Sequence, residues 1–270
     1  MGKVIFETVN LSKVIEGHTI LRNVSFRFEE KSAIAIRGQN GSGKSTFIKL
    51  LAGIYEPSSG KIKRNANKIG YVPEHFPENL RFKLKEYLLM IASFHEISMK
   101  SIESELIEYI RLFEIEPFIN TPLKYCSKGT KQKVGIIQAL LMKPDVLLLD
   151  EPLTGLDPTS QQQLIYLLQK LKKELTIIFT THEDVMVGTI ADQVLYVESG
   201  QLLFDIEPKQ TKKIIKVEFP NKKIFTELNT IDIHYEGNIA LLTVNTSLSD
   251  EILLNLLNKK CSVLEVKEMR

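Results

Sequence analysis

Over residues 3–37 apolar and polar positions alternate with the two-residue period of short β-strands. Val24, Phe26 and Phe28 fall on one side, with Ser25 and Arg27 on the other. The unbroken apolar run Ala33–Ile36 then enters a glycine-rich turn, and Ser45–Ala52 reads as a helix stopped by Gly53. Pro57-Ser58-Ser59-Gly60 predicts a turn. From about residue 79 to residue 143 the period lengthens to that of a helix, with Ile102, Leu106, Ile107, Ile110 and Phe113 on one stripe. Strands return at Val146–Leu149, Thr176–Thr180 and Gln193–Val197. Between the first two lies a helix whose Leu164, Leu167, Leu168, Leu171 and Leu175 share a face. Strands alternating with helices imply an α/β fold with a mostly parallel sheet covered on both faces, and the stretch 79–143 reads as an inserted helical subdomain.

Around residues 207–213 the composition changes, with Pro208, Lys209, Lys212 and Lys213 close together. Beyond it, Ile214–Phe219, Ile231–Tyr235 and Ile239–Val244 predict strands, Asp250–Leu257 a helix and Val263–Val266 a last strand. The expected organisation is a main domain over residues 1–206 and a small α+β domain over 207–270. Lys209, Lys212, Lys213, Lys216, Lys222 and Lys223 are read first as a solvated face. A patch for anionic lipid or a partner is the less favoured reading.

At 270 residues the chain buries enough surface to need no metal or disulfide staple. Cys126 and Cys261 lie too far apart in sequence to suggest a disulfide framework, which points to a reducing, cytosolic compartment. The formal net charge of +2, with acidic and basic residues interspersed, argues against nucleic-acid binding by phosphate neutralisation. No window reaches the run of about 18 apolar residues that a membrane span needs. The opening Met-Gly-Lys-Val-Ile-Phe has no secretory h-region, and it puts Phe6 where a myristoylation motif needs Ser or Thr. A location at a membrane is therefore expected to depend on a partner.

The chemistry is concentrated in a few short runs. Gly38-Gln39-Asn40-Gly41-Ser42-Gly43-Lys44-Ser45, followed by Thr46, fits the phosphate-binding pattern GxxxxGKS in full. In this pattern glycines let backbone N–H groups turn inward around phosphate oxygens, and the following helix presents its positive end. Lys44 would reach the terminal phosphates and the Ser45 hydroxyl would ligate Mg²⁺. An ordinary Gly/Ser loop is the plainer alternative, but the strand before and the helix after supply the context the motif requires. Asp150 and Glu151 end the apolar run that starts at Val146. Adjacent carboxylates at the C-terminal end of a buried parallel strand need a compensating partner, and ligands bind at that end. Asp150 would serve the metal, and Glu151 would polarise the attacking water.

These runs, together with three more, resemble the ABC (ATP-binding cassette) ATPase family over about residues 3–205. Cys126-Ser127-Lys128-Gly129-Thr130 is similar to the family signature, usually LSGGQ. By that resemblance Ser127 and Gly129 would contact the γ-phosphate held by an opposite subunit. Thr154-Gly155-Leu156-Asp157 resembles the D-loop, and Thr181-His182 resembles the switch histidine that contacts the γ-phosphate. Plainer roles stand beside these: Ser127 as a helix cap, Asp157 as a cap before Pro158, His182 as an ordinary histidine. The order and spacing of the whole set favour the resemblance. It implies a P-loop NTPase core, with N-terminal antiparallel strands, that binds ATP and Mg²⁺.

Lys128 and Thr130 are mild departures inside the signature, and two further positions depart from the family pattern. Glu74, in Ile69-Gly70-Tyr71-Val72-Pro73-Glu74, stands where the Q-loop glutamine is expected. Its carboxylate would still ligate the metal while adding negative charge near the γ-phosphate. Ile15 holds the position of the aromatic residue that stacks on adenine, offering dispersion contact with less stacking. The resemblance implies a motor at the cytoplasmic face of the cell membrane, with a transmembrane permease subunit and a second cassette, identical or different, as partners. Glu74 and the small C-terminal domain resemble the exporter subgroup. A soluble scaffold or remodelling ATPase is the alternative. A cassette that binds ATP without turning it over is disfavoured because Lys44, Glu151 and His182 are all present.

Overall fold

The computed structural model describes residues 3–94, 99–205, 212–221, 224–225, 232–245 and 248–268. The chain forms two compact units, Met1–Ile206 and Glu207–Arg270.

In the first unit, β1 (Val4–Ile15) and β2 (His18–Glu29) form an antiparallel pair joined at a tight turn. Val24, Phe26 and Phe28 of β2 are buried while Ser25 and Arg27 are exposed, as the alternation requires. Next come β3 (Ala33–Arg37), α1 (Lys44–Leu51), β4 (Ser59–Arg64) and β5 (Ile69–Val72). The inserted helical stretch holds α2 (Leu84–Ser93), α3 (Met99–Leu112) and α4 (Lys128–Leu141). It leads to β6 (Val146–Leu149), α5 (Pro158–Leu171), β7 (Thr176–Thr180), α6 (Asp184–Ile190), β8 (Gln193–Glu198) and β9 (Gln201–Asp205).

A six-stranded sheet runs in the order β5-β6-β7-β3-β8-β9, parallel except where β9 meets β8. Every residue of β6 and β7 is buried because both sheet faces are covered. Alternate side chains serve opposite layers. Ile34, Ile36, Leu148 and Ile178 join Phe47, Leu50 and the β1–β2 aromatics Phe6 and Phe28. Ala35, Leu147, Leu149 and Phe179 join the helical side, with Val134, Leu164, Leu168 and Met186. Burying each of the Leu, Ile, Val, Phe and Met side chains among these contributes about 1.5–3 kcal/mol. The consequence for function is positional: the C-terminal ends of β3, β6 and β7 are held side by side.

Two local expectations change. Ser59 and Gly60, expected in a turn, begin β4, which pairs with β1 across an irregular register between Val9 and Ser12. Gly60 has φ 79°, and a Cβ there would lie 2.2 Å from the Asn10 carbonyl oxygen, so the close approach requires glycine. Ile107, expected on the apolar stripe of α3, is 48% exposed; the buried face is Ile102, Leu106 and Ile110. It sits one position off the i, i+4, i+8 row that faces the core.

The second unit contains β10 (Lys212–Glu218), β11 (Asp232–Glu236), β12 (Ile239–Asn245), α7 (Ser249–Asn258) and β13 (Ser262–Glu268). Its sheet runs β11-β12-β10-β13, antiparallel throughout. Ile215, Val217, Ala240, Leu242, Ile252 and Leu256 lie in its core. Lys212, Lys213 and Lys216 are half-buried on β10. Pro208, Lys209, Lys222, Lys223 and Ile231 lie outside the described residues. Cys126 and Cys261 are buried free thiols, one in each unit. Among the described residues no helix is long and apolar enough to cross a membrane.

Candidate functional site

The loop of residues 38–43 leaves the end of β3 and turns into α1. Gly38 has φ 148°, and a Cβ there would lie 2.4 Å from the Val197 carbonyl oxygen and 2.7 Å from Ser42 Oγ. Only glycine lets the loop leave the sheet this tightly. Gly43 caps α1 without a side chain, so no local group covers the N–H groups of the first turn. The helix therefore offers its donors and its positive end to the space above it.

That space is a cavity of about 430 Å³. Asn40, Gly41, Gly43, Lys44, Ser45 and Thr46 line it from the loop and helix, and Glu74, Glu151, Thr154, His182 and Ile20 complete its wall. Lys44 is buried, and its Nζ donates to the carbonyls of Gly38 at 2.9 Å and Gln39 at 3.1 Å. The ammonium is thus curled within its own loop, 3.5 Å from His182 Nε2.

The end of β6 supplies the carboxylates. Asp150 is buried, and its Oδ1 accepts from Ser45 Oγ at 3.1 Å and from Thr180 Oγ1 at 2.8 Å. Thr180 also accepts the Glu151 N–H at 2.8 Å, fixing the backbone that aims the next carboxylate. Glu151 adopts φ 48°, the left-handed conformation, and its side chain is only 16% exposed. Its Oε1 makes no hydrogen bond and lies 3.2 Å from His182 Nε2. Burial pushes the Glu151 carboxyl above its ordinary value; His182 and Lys44 oppose that shift, while Asp150 and Glu74 add to it. Buried polar atoms rarely go without a partner. Among the described residues four buried side-chain oxygens make no hydrogen bond, and two of them, Ser42 Oγ and Glu151 Oε1, belong to this phosphate-loop and acidic-strand assembly.

The architecture has known counterparts. A family model described as ABC transporter matches residues 21–154. The uncharacterised ABC transporter ATP-binding protein YcbN of Bacillus subtilis is 30% identical, over 97% of this chain and 94% of its own length. The chain belongs to the ABC transporter ATP-binding family. The zinc import ATP-binding protein ZnuC of Rickettsia bellii is 32% identical over 72% of this chain and 83% of its own. The solved structure of cbiO1 from Clostridium perfringens, described as part of the ABC transporter complex cbiONQ, superposes with a TM-score of 0.62. It shows 28% identity over 75% of this chain and 88% of the other. As an ABC ATP-binding subunit, the protein is a P-loop NTPase that binds and hydrolyses ATP.

Of the remaining ABC motifs, the signature segment stands apart from the cavity wall, whereas Thr154 of the D-loop segment and Glu74 line it. Ser127 caps α4: its Oγ accepts the Thr130 N–H at 3.1 Å and lies 2.9 Å from Thr130 Oγ1. Gly129 abuts the 154–157 loop so closely that a Cβ would lie 2.6 Å from the Gly155 carbonyl oxygen. Neither Ser127 nor Gly129 lines the cavity. Asp157 caps α5, accepting from Ser160 N–H at 3.0 Å and Ser160 Oγ at 2.6 Å, and these bonds hold its carboxyl below the ordinary range. Glu74 reaches the wall from the segment after β5. Ile15, expected against the adenine, does not line the cavity, whereas Ile20 does. Ile15 closes β1 opposite His18, and Ile20 comes round the turn toward Gly43. Sequence reading missed Ile20, because it falls outside the buried alternation of β2. It also missed the role of Thr180, whose only signal is a hydroxyl ending an apolar strand.

Proposed function

We propose that this chain is the motor of a membrane transport system, acting through a separately encoded transmembrane permease and a second cassette at the cytoplasmic face of the membrane. The observation that carries the reading is the convergence of Lys44, Ser45, Glu151 and His182 on one cavity, with buried Asp150 bonded to Ser45 behind its wall. In this reading the loop N–H groups and Lys44 hold the triphosphate. Glu151 takes the proton of the attacking water, and His182 steadies the γ-phosphate side. Lys44 exchanges its two carbonyl partners for phosphate oxygens when nucleotide enters. Ser127 and Gly129 grip the nucleotide of the opposing cassette, a role their position at the start of α4 supports. Ile20, on the cavity wall, borders the base.

The residues fit Mg²⁺. Ser45 and Asp150 present hard oxygen donors 3.1 Å apart, and Glu74 adds a third at the wall. Among the described residues no group of three or more His, Cys, Asp or Glu could hold a metal. The Ser45 hydroxyl with the carboxylates of Asp150 and Glu74 suits an ion that takes one or two carboxylates and completes its shell with phosphate and water. When bound, the ion neutralises phosphate charge. Without that charge, Asp150, Glu151 and Glu74 together would oppose the triphosphate.

Export is the favoured direction. It is supported by the Glu74 substitution and the appended C-terminal unit, both similar to exporters with separate membrane subunits. Purification from detergent-solubilised membranes is expected to bring a multi-span protein with this chain. In inverted vesicles an exporter accumulates the permease's cargo when ATP is supplied outside. Co-purification of soluble proteins alone would replace this reading with a scaffold ATPase.

A further inference from the structure

We propose that Arg37 is a positioning residue for His182, tying the loop after β7 to the strand that launches the phosphate loop. This inference rests on the role of His182 proposed above. Arg37 is the last residue of β3, directly before Gly38. Its Nη1 meets Asp184 Oδ1 at 2.7 Å, and its Nη2 donates to the His182 carbonyl at 3.3 Å. Both bonds leave one planar guanidinium, whose fork fixes the two acceptors relative to each other.

The histidine needs such an anchor. Its side chain is 52% exposed, so packing alone does not hold the ring. Its Nε2 nevertheless stands 3.2 Å from Glu151 Oε1 and 3.5 Å from Lys44 Nζ. The ring is therefore aimed by its backbone, and Arg37 grips that backbone at the carbonyl. Asp184, the first residue of α6, is gripped by the same group, so the chain is clamped on both sides of Glu183. Thr181 Oγ1 accepts the Glu183 N–H at 3.1 Å and tightens the same turn. The Asp184 side chain is 68% exposed, so the ion pair adds little to overall stability. Its consequence is geometric: the strand carrying the phosphate loop sets where the imidazole stands. Displacements near 1 Å at a reacting centre cost up to about 10²-fold in rate.

The test is ATP turnover by the full chain in four variants: Arg37→Leu, Arg37→Lys, His182→Ala, and Arg37→Leu combined with His182→Ala. Arg37→Leu is expected to lower kcat about tenfold while KM and the melting temperature stay near wild type. Arg37→Lys is expected to fall between, because a single ammonium does not reproduce the fork. The double variant is expected to be no slower than His182→Ala alone, since nothing remains to be positioned. Wild-type kcat in Arg37→Leu would overturn the proposal. So would a loss that carries over in full into the His182→Ala background. Wild-type turnover in His182→Ala itself would remove the reading of His182, and the proposal with it.

Discussion

Replacing Glu151 by Gln is expected to leave ATP bound while slowing its hydrolysis by at least about 10²-fold. The amide keeps the shape of the side chain and removes its ability to accept a proton from water. Binding is spared because the phosphate contacts come from the loop and Lys44, and because losing one negative charge beside the triphosphate reduces repulsion. The same group sets the acid side of the rate profile. Burial lifts the Glu151 carboxyl above its ordinary value of 4.5. Its basic form is therefore lost as pH falls through that raised value, at a higher pH than an exposed glutamate would show. Turnover measured against pH is expected to drop there in the wild type, and the step should be absent from the residual rate of Glu151→Gln. A variant with wild-type turnover, or an acid limb unchanged by the substitution, would remove Glu151 from the role of base.

Replacing Asp150 by Asn is expected to reduce turnover by about 10²-fold or more and to raise the Mg²⁺ concentration needed for half-maximal activity. Asp150 is buried and accepts hydrogen bonds from Ser45 and Thr180. The amide oxygen of Asn accepts the same two hydroxyl donors, so the ends of β6 and β7 stay joined. What disappears is the charge, and a neutral amide is a poor substitute for carboxylate toward a hard, strongly hydrated dication. Metal-free nucleotide binding, followed by fluorescence, is expected to be no weaker than in the wild type, because one of the carboxylates that oppose the triphosphate is neutralised. If Asn at 150 kept both turnover and the Mg²⁺ requirement, the buried carboxylate would be only a tie between strands.

The parts of the site that were legible in the sequence are those in which neighbouring residues carry a constraint no other residue type satisfies. Gly38 is needed because a side chain would meet the Val197 carbonyl. Asp150 and Glu151 stood out because two charges end a strand that is otherwise wholly apolar and buried. The parallel sheet was readable for the same reason, since β6 and β7 show continuous apolar runs instead of alternation.

What stayed hidden depends on residues far apart in sequence. Ile20 reaches the cavity because β2 folds back past Gly43, and nothing in its own neighbourhood distinguishes it. Arg37 meets Asp184 across 147 positions, a contact created by the pairing of β3 with β7. Ser59 and Gly60 carry turn chemistry, yet tertiary pairing with β1 draws them into β4. The short helix α6 spans seven residues, too few for an apolar period to register.

One measurement bears most directly on the whole account: equilibrium ATP binding and phosphate release by Lys44→Ala beside the wild-type chain. The ammonium of Lys44 is already poised in the cavity, held by two carbonyls that phosphate oxygens would replace. The variant is expected to bind ATP at least about tenfold more weakly, the worth of one lost charge-assisted contact, and to release phosphate at a small fraction of the wild-type rate. Unchanged affinity together with unchanged release would contradict the placement of the nucleotide in this cavity.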